Sequence, residues 1–222
     1  PKCRFYSAGS SEEMGDVDYS PQDKAHPPKP RSPYGVSKVA SRFLTKVYRE
    51  SYDIFAVHGI LFNHEGIRRG EEFVTRKITK GVAAIRSAID QGKEFRPLQL
   101  GNVDAKRDWS DSEDFMEGVW KMLNQDTPKE YILSSNETHT VREFVELAFY
   151  HAGLKGAWSG EGIEEKFTHQ DKTLVEISEK YYRPAEVAIL HGDSTPIREE
   201  LGWKPKYSFS DLVRRMVEND LS

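Results

Sequence analysis

Apolar positions along this 222-residue chain follow two spacings, and the change from one to the other marks its elements. Residues 4–8 read as a short strand that runs into Gly9-Ser10-Ser11-Glu12. Residues 16–33 are polar, hold five prolines and read as a loop. Ser32 then offers an N-cap oxygen, and Pro33 fills the first helical position, where a missing N–H costs no hydrogen bond. Val36, Val39, Ala40, Phe43, Leu44, Val47 and Tyr48 follow at helical spacing, which predicts a helix packing that stripe on a core. Residues 54–62 are nearly continuous in apolar character, as in a strand buried on both faces of a parallel sheet. Strand, helix and strand within 62 residues make a βαβ unit, for which a right-handed crossover is expected.

Beyond a loop at 63–72, a helix is predicted over 73–90, stopped by Gly92, then a strand at 97–100. A helix at 111–124 turns Phe115, Val119, Met122 and Leu123 inward, and a strand follows at 130–134. Thr140 and Glu143 form a capping box that opens a helix closed by Gly153. Residues 154–180 are polar and mixed, and the charges at 161–172 and 198–206 read as solvated surface. Short helices are expected at 196–201 and 211–217, with no internal repeat.

This length buries a core without disulfide or metal staples. Mean hydropathy of -0.69 and apolar runs of only a few residues exclude a transmembrane helix. A net charge of -4 gives no electrostatic footprint for nucleic acid. The single cysteine, Cys3, allows no intrachain disulfide and fits a reducing, cytoplasmic compartment. The seven histidines have no ligand-like spacing with Cys or acidic neighbours, so no metal is expected. The chain opens on Pro1 and runs at once into a strand-like segment, which reads as a piece of a longer protein.

Candidate chemistry concentrates at the first two strand ends. Tyr34 and Lys38 stand four apart and project from one face of the predicted helix. An ammonium beside a phenol favours the phenolate, which then serves as a base. Alone, the pair reads as a solvated helix face, since many helices carry this spacing by chance. In open parallel sheets, however, ligands bind beyond the C-terminal strand ends, where Ser10, Glu12 and Asn63 also stand. Glu12 has its own logic: a single carboxyl group can remove a proton beside a ketone and deliver one to a departing hydroxide. Its plainer reading is an acid favoured at a helix start.

Residues 30–38, Pro-Arg-Ser-Pro-Tyr-Gly-Val-Ser-Lys, resemble the extended short-chain dehydrogenase/reductases. The segments 60–65, 68–70, 73–78, 101–109, 141–145 and 181–187 narrow the resemblance to the GDP-mannose 4,6-dehydratases, over nearly the whole chain. The fold implied is α/β, the C-terminal part of a Rossmann-like parallel sheet plus a smaller α/β substrate-binding domain. The implied division gives 1–72 and 110–136 to the NADP-binding domain, and 73–109 and 137–222 to the nucleotide-sugar domain. By resemblance, Tyr34 takes the sugar 4-hydroxyl proton during NADP-dependent oxidation, Lys38 tunes Tyr34 and grips the nicotinamide ribose, and Ser10 binds the 4-oxygen. Glu12 takes the C5 proton and helps water leave from C6, giving GDP-4-keto-6-deoxy-mannose on the route to GDP-fucose. Lys77, Arg107 and Arg183 match the pyrophosphate grip of GDP-mannose, Glu186 the nucleoside ribose acid, Asn63 a substrate contact, and His64 and Arg69 contacts to NADP.

Two features depart from that pattern. Glu13-Met14 stands where the family carries an apolar–aromatic pair before Gly15. No Gly-x-Gly-x-x-Gly turn occurs in the sequence; the nearest approach is Gly160-Glu161-Gly162, with Glu165 in place of the third glycine. The expectation is a truncated lyase, inactive alone and a homo-oligomer when intact. Two alternatives stay open: another NAD(P)-dependent nucleotide-sugar epimerase or dehydratase, and a non-catalytic nucleotide-sugar binding fragment.

Overall fold

A computed structural model describes residues 3–181 and 189–222. The elements run β1 (Phe5–Ala8), α1 (Pro33–Tyr52), β2 (Ala56–Leu61), β3 (Asn63–Glu65), α2 (Val74–Asp90) and β4 (Leu98–Leu100). They continue through β5 (Lys106–Arg107), β6 (Trp109–Asp111), α3 (Ser112–Leu123), β7 (Glu130–Leu133), β8 (His139–Thr140) and α4 (Val141–His151). The last are β9 (Ala157–Ser159), β10 (Lys166–His169), β11 (Lys172–Ile177), β12 (Ile189–Leu190), α5 (Thr195–Leu201) and α6 (Phe209–Leu221). The chain forms two compact units, one of Pro1–His64, Lys106–Thr138 and Val187–Tyr207, the other of Glu65–Ala105, His139–Glu186 and Ser208–Ser222. These seams differ from the divisions implied by the sequence, most of all at 187–207, which belongs with the first unit.

The first unit is built on a parallel sheet in the order β1-β2-β7. All six residues of β2 are buried, as the apolar run predicts for a central parallel strand. Val57 and Leu61 of β2 join Phe115, Met122, Tyr131, Leu133, Ile197 and Trp203 in one core cluster. Ile60 joins Met14, Phe62, Ile132 and Leu190 in another. The α1 cap forms as expected, with Ser32 Oγ accepting from Gly35 N at 3.0 Å.

The expected orientation of α1 is wrong. Val36, Phe43, Leu44, Val47 and Tyr48 are each about half exposed, and the residues α1 buries are Gly35 and Thr45. The reason lies in the sheet beneath. Ser7 pairs in register with His58, and His58 with Glu130, so a polar row crosses the sheet. Arg42 of α1 grips Glu130 through two hydrogen bonds of 2.7 and 3.2 Å. The helix face that meets such a row must be small or polar, which leaves the apolar stripe outside.

The second unit carries a sheet in the order β4-β11-β10-β9, with β4 and β11 parallel and the other pairs antiparallel. Three of its strands occupy the segment read as polar and mixed. They bury Phe167, Leu174, Val175 and Ile177, with the adjacent Leu174 and Val175 at a register irregularity that interrupts the alternation, and Lys, Thr and Glu fill the remaining positions. Phe167 is 1% exposed, while the charged Glu161, Glu164, Lys166, Asp171 and Lys172 around it are exposed. Here α2 buries Ile78, Val82 and Ile85, and α4 opens with the expected capping box. Among the described residues, no helix is long and apolar enough to cross a membrane.

Candidate active site

The end of β1 turns sharply at Gly9 into a 3-10 turn, Ser11–Glu13. Ser10 caps that turn: its Oγ accepts from Glu12 N at 3.2 Å. A hydroxyl is donor as well as acceptor, so this cap leaves the Ser10 proton for another group. Glu12 is half-buried on the turn, between buried Ser11 and buried Glu13.

Two contacts bring α1 against this turn. Lys38 Nζ donates to Ala8 O at 2.8 Å and lies 5.3 Å from the centre of the Tyr34 ring. An ammonium has three donors, so the bond to Ala8 does not exhaust Lys38. Gly35 supplies the second contact: a Cβ there would stand 2.6 Å from Glu12 O and 2.9 Å from Pro30 Cβ. Only glycine permits the helix start to sit so close to the turn. Ser10 and Glu12 thus stand on the turn, and Tyr34 and Lys38 on the helix held against it, all within the first unit. Tyr34 is 53% exposed, open to a ligand.

The next pair follows β2. Asn63 Oδ1 is buried and has no hydrogen-bond partner among the described residues, and such an orphan acceptor is an invitation to a ligand donor. His64 is fixed through Nδ1 to Phe62 O at 2.9 Å, and its ring lies 5.2 Å from that of Phe115. A carbonyl at Nδ1 makes that nitrogen the donor, leaving Nε2 as the acceptor.

The basic residues belong to both units. In the first unit, Arg107 on β5 donates Nη1 to Lys106 O at 2.8 Å. In the second unit, Arg69 Nε stands 3.0 Å from buried Glu65 Oε2, close enough for an ion pair but not aligned as a hydrogen bond. Its guanidinium also covers the Phe73 ring at 3.5 Å. Burial holds the Glu65 carboxyl above its ordinary range, against the opposing pull of Arg69 and Thr75. Lys77 Nζ donates to Gln99 O at 2.7 Å and sits 3.4 Å from the centre of the Tyr181 ring; burial holds its ammonium below the ordinary lysine range. Arg183 and Glu186 lie outside the described residues.

Two groups near the site went unread in the sequence. Glu13 and His58 are completely buried and meet at 3.0 Å, Oε1 to Nε2. The signal was a histidine in the middle of an apolar strand, but its partner is 45 residues away. Asp108 follows Arg107 and is also completely buried. Its Oδ1 accepts from Ser135 N and Oγ, both at 2.7 Å, while Oδ2 has no hydrogen-bond partner among the described residues. Burial pushes this carboxyl up to about 6, against the lowering effect of Ser135, Gly192 and His191.

The sequence profile of a family described as GDP-mannose 4,6 dehydratase matches residues 1–216. A curated protein of that description from Homo sapiens is 44% identical over 220 residues, covering 98% of this chain and 58% of its own length. Counterparts from Drosophila melanogaster and Sinorhizobium fredii are also 44% identical, over 98% and 100% of this chain and 54% and 62% of their own. The chain therefore spans a little over half the length of the curated relatives it matches. Among solved structures, it resembles RMD from Pseudomonas aeruginosa complexed with NADPH, with a TM-score of 0.82, 23% identity, and 98% and 66% coverage. A dTDP-glucose 4,6-dehydratase from Bacillus anthracis in complex with NAD gives a TM-score of 0.76 at 19% identity, over 97% and 61% of the two chains. These likenesses establish the α/β, Rossmann-type fold.

Proposed function

The chain belongs to the GDP-mannose 4,6 dehydratase family, and from that premise we propose that it carries the acid–base machinery of a GDP-mannose 4,6-dehydratase. One observation supports this above all: Gly35 and Lys38 hold the Tyr34 helix against the turn that bears Ser10 and Glu12. A base for the 4-hydroxyl and a separate acid/base for C5 and C6 then stand in one unit.

The protons balance over the cycle. Tyr34, as phenolate beside the Lys38 ammonium, takes the 4-hydroxyl proton while Ser10 donates to the 4-oxygen. Glu12 takes the C5 proton, which the new ketone has made acidic, and passes it to the departing C6 hydroxyl as water. A proton must re-enter at C5 when C6 is reduced; Tyr34 still holds one, and giving it up restores the phenolate. What NADP supplies when bound is a reversible hydride sink for C4 and then C6.

The residues present fit part of that cofactor. Lys38 has unspent donors for a ribose, and His64 Nε2 and Arg69 are the other groups assigned to NADP. The Gly-rich turn that cradles a dinucleotide pyrophosphate at a helix N-terminus is not found in these 222 residues. We assign the orphan Asn63 Oδ1 to the sugar, and Lys77, Arg107, Arg183 and Glu186 to the nucleotide. The acid–base residues Ser10, Glu12, Tyr34 and Lys38 all belong to the first unit. A cytoplasmic, homo-oligomeric enzyme is the setting this reading carries with it.

The test is an assay of GDP-mannose with NADP+ by mass detection of the 4-keto-6-deoxy product. An intact enzyme carrying this segment is expected to form the product, and the 222-residue chain alone is not. Product from the purified chain alone would overturn the second expectation. An intact enzyme that epimerises the sugar without losing water would overturn the first.

A further inference from the structure

We propose that Glu13 and His58 are positioning residues for Glu12, a role that rests on the acid/base reading of Glu12 given above. Glu13 lies on the same 3-10 turn as Glu12 but points into the protein and is completely buried. One of its oxygens, Oε1, accepts from Ser10 N at 2.9 Å and meets His58 Nε2 at 3.0 Å. The other ring nitrogen of His58 meets Ser7 Oγ at 3.0 Å. The first residue of the active turn is thus tied through Glu13 to the centre of β2, and from there to β1.

The surroundings are shaped for this pair. A Cβ on Gly9 would stand 2.3 Å from His58 Nε2 and 2.6 Å from Glu13 Oε1, so the strand end keeps glycine where the pair passes beneath it. His58 also stands in register with Glu130, which Arg42 of α1 holds from above. One polar row therefore reaches both the turn that bears Glu12 and the helix that bears Tyr34 and Lys38. A buried polar pair is weak evidence for stability, since apolar residues of the same volume often serve as well. What apolar residues cannot do is accept the Ser10 amide. That bond fixes where the turn starts, and hence where Glu12 stands relative to Tyr34. The family resemblance breaks at Glu13, which is what a local device of this chain predicts.

The test separates positioning from stability. In the 222-residue chain, Glu13→Leu combined with His58→Leu removes both polar ends at once. The urea midpoint is expected to stay near that of the unaltered protein. Amide exchange over residues 10–14, followed by mass spectrometry, is expected to rise about tenfold, the ratio that loss of one buried hydrogen bond gives. Glu13→Gln keeps an acceptor for Ser10 N and is expected to restore slow exchange. Unchanged exchange in the double variant overturns the proposal, as does a rise spread equally over α2 and α6. If the double variant does not fold, Glu13→Asp decides in the same way: it keeps a carboxyl group but withdraws the oxygen from Ser10 N, so the same local rise is expected and its absence is decisive. In an intact enzyme the double variant is expected to lower kcat for water loss at least tenfold while KM for GDP-mannose holds. A Glu12→Gln enzyme that still eliminates water would remove the catalytic premise and leave the exchange result standing. The two readings therefore fail separately.

Discussion

The helices α1 and α2 look alike in sequence and differ in what they cover. Both carry an apolar stripe at helical spacing. In α2 that stripe is buried, with Ile78 and Val82 fully hidden and Ile85 nearly so. In α1 it faces out, and the helix meets its sheet through Gly35, Thr45 and Arg42 over a row of Ser7, His58, Glu13 and Glu130. Hydrophobic period reports that a helix has an apolar face to cover; it does not report what covers it. Polar groups buried under a helix, by contrast, mark the place where geometry rather than adhesion is being held.

The largest effect is expected under α2. Ile78→Ala should cost about 2–5 kcal/mol, the range for a buried aliphatic cut to a methyl, read as a lower urea midpoint. Next comes Asp108→Asn in the first unit. The folded Asp108 binds its proton at a pH of about 6, against an ordinary value of 3.8. The folded state therefore holds more protons than the unfolded one between those values, and stability falls as pH rises through them. The amide keeps an oxygen for Ser135 and carries no charge, so at neutral pH it should gain about 2–3 kcal/mol, and the gain should vanish below pH 3.8.

Arg42→Ala tests the polar side of the comparison and has the opposite pH sign. Burial alone would raise the Glu130 carboxyl, but the hydrogen bonds and charge of Arg42 prevail and hold it below its ordinary 4.5. Its contribution is present above that value and lost as pH falls through the folded one. The variant should lose about 1.5–3 kcal/mol at neutral pH, and the gap to the unaltered protein should close on acidification below pH 4.5. The smallest effect belongs to the outward stripe. Leu44→Ala should stay within about 0.5 kcal/mol in urea unfolding, because Leu44 is 59% exposed. A loss as large as that at Ile78 would erase the contrast between the helices.

Much of the fold was legible because local chemistry and tertiary need agreed. Ser32-Pro33 and Thr140-Val141-Arg142-Glu143 announced their helices, and the apolar run of β2 announced a central strand. The strands β9–β11 were not legible, since strands rich in Lys, Thr and Glu, with their alternation interrupted at Leu174 and Val175, look like surface until Phe167 and Leu174 are seen to be buried. The site divides in the same way. Tyr34 and Lys38 follow from helical spacing, and Glu12 from its place at a strand end. The approach of Gly35 to Glu12 O, and the meeting of Glu13 with His58, depend on strand register and helix placement that no local pattern encodes.

The central claim is that Tyr34 and Glu12 do different proton work from one assembled unit. Stopped-flow absorbance of the reduced cofactor, paired with product analysis, tests it in an intact enzyme carrying this segment. Glu12→Gln keeps size and hydrogen bonding but cannot hold the C5 proton, so oxidation at C4 should proceed while loss of water stops. Tyr34→Phe should stop both. Equal loss of C4 oxidation in the two variants would contradict the account.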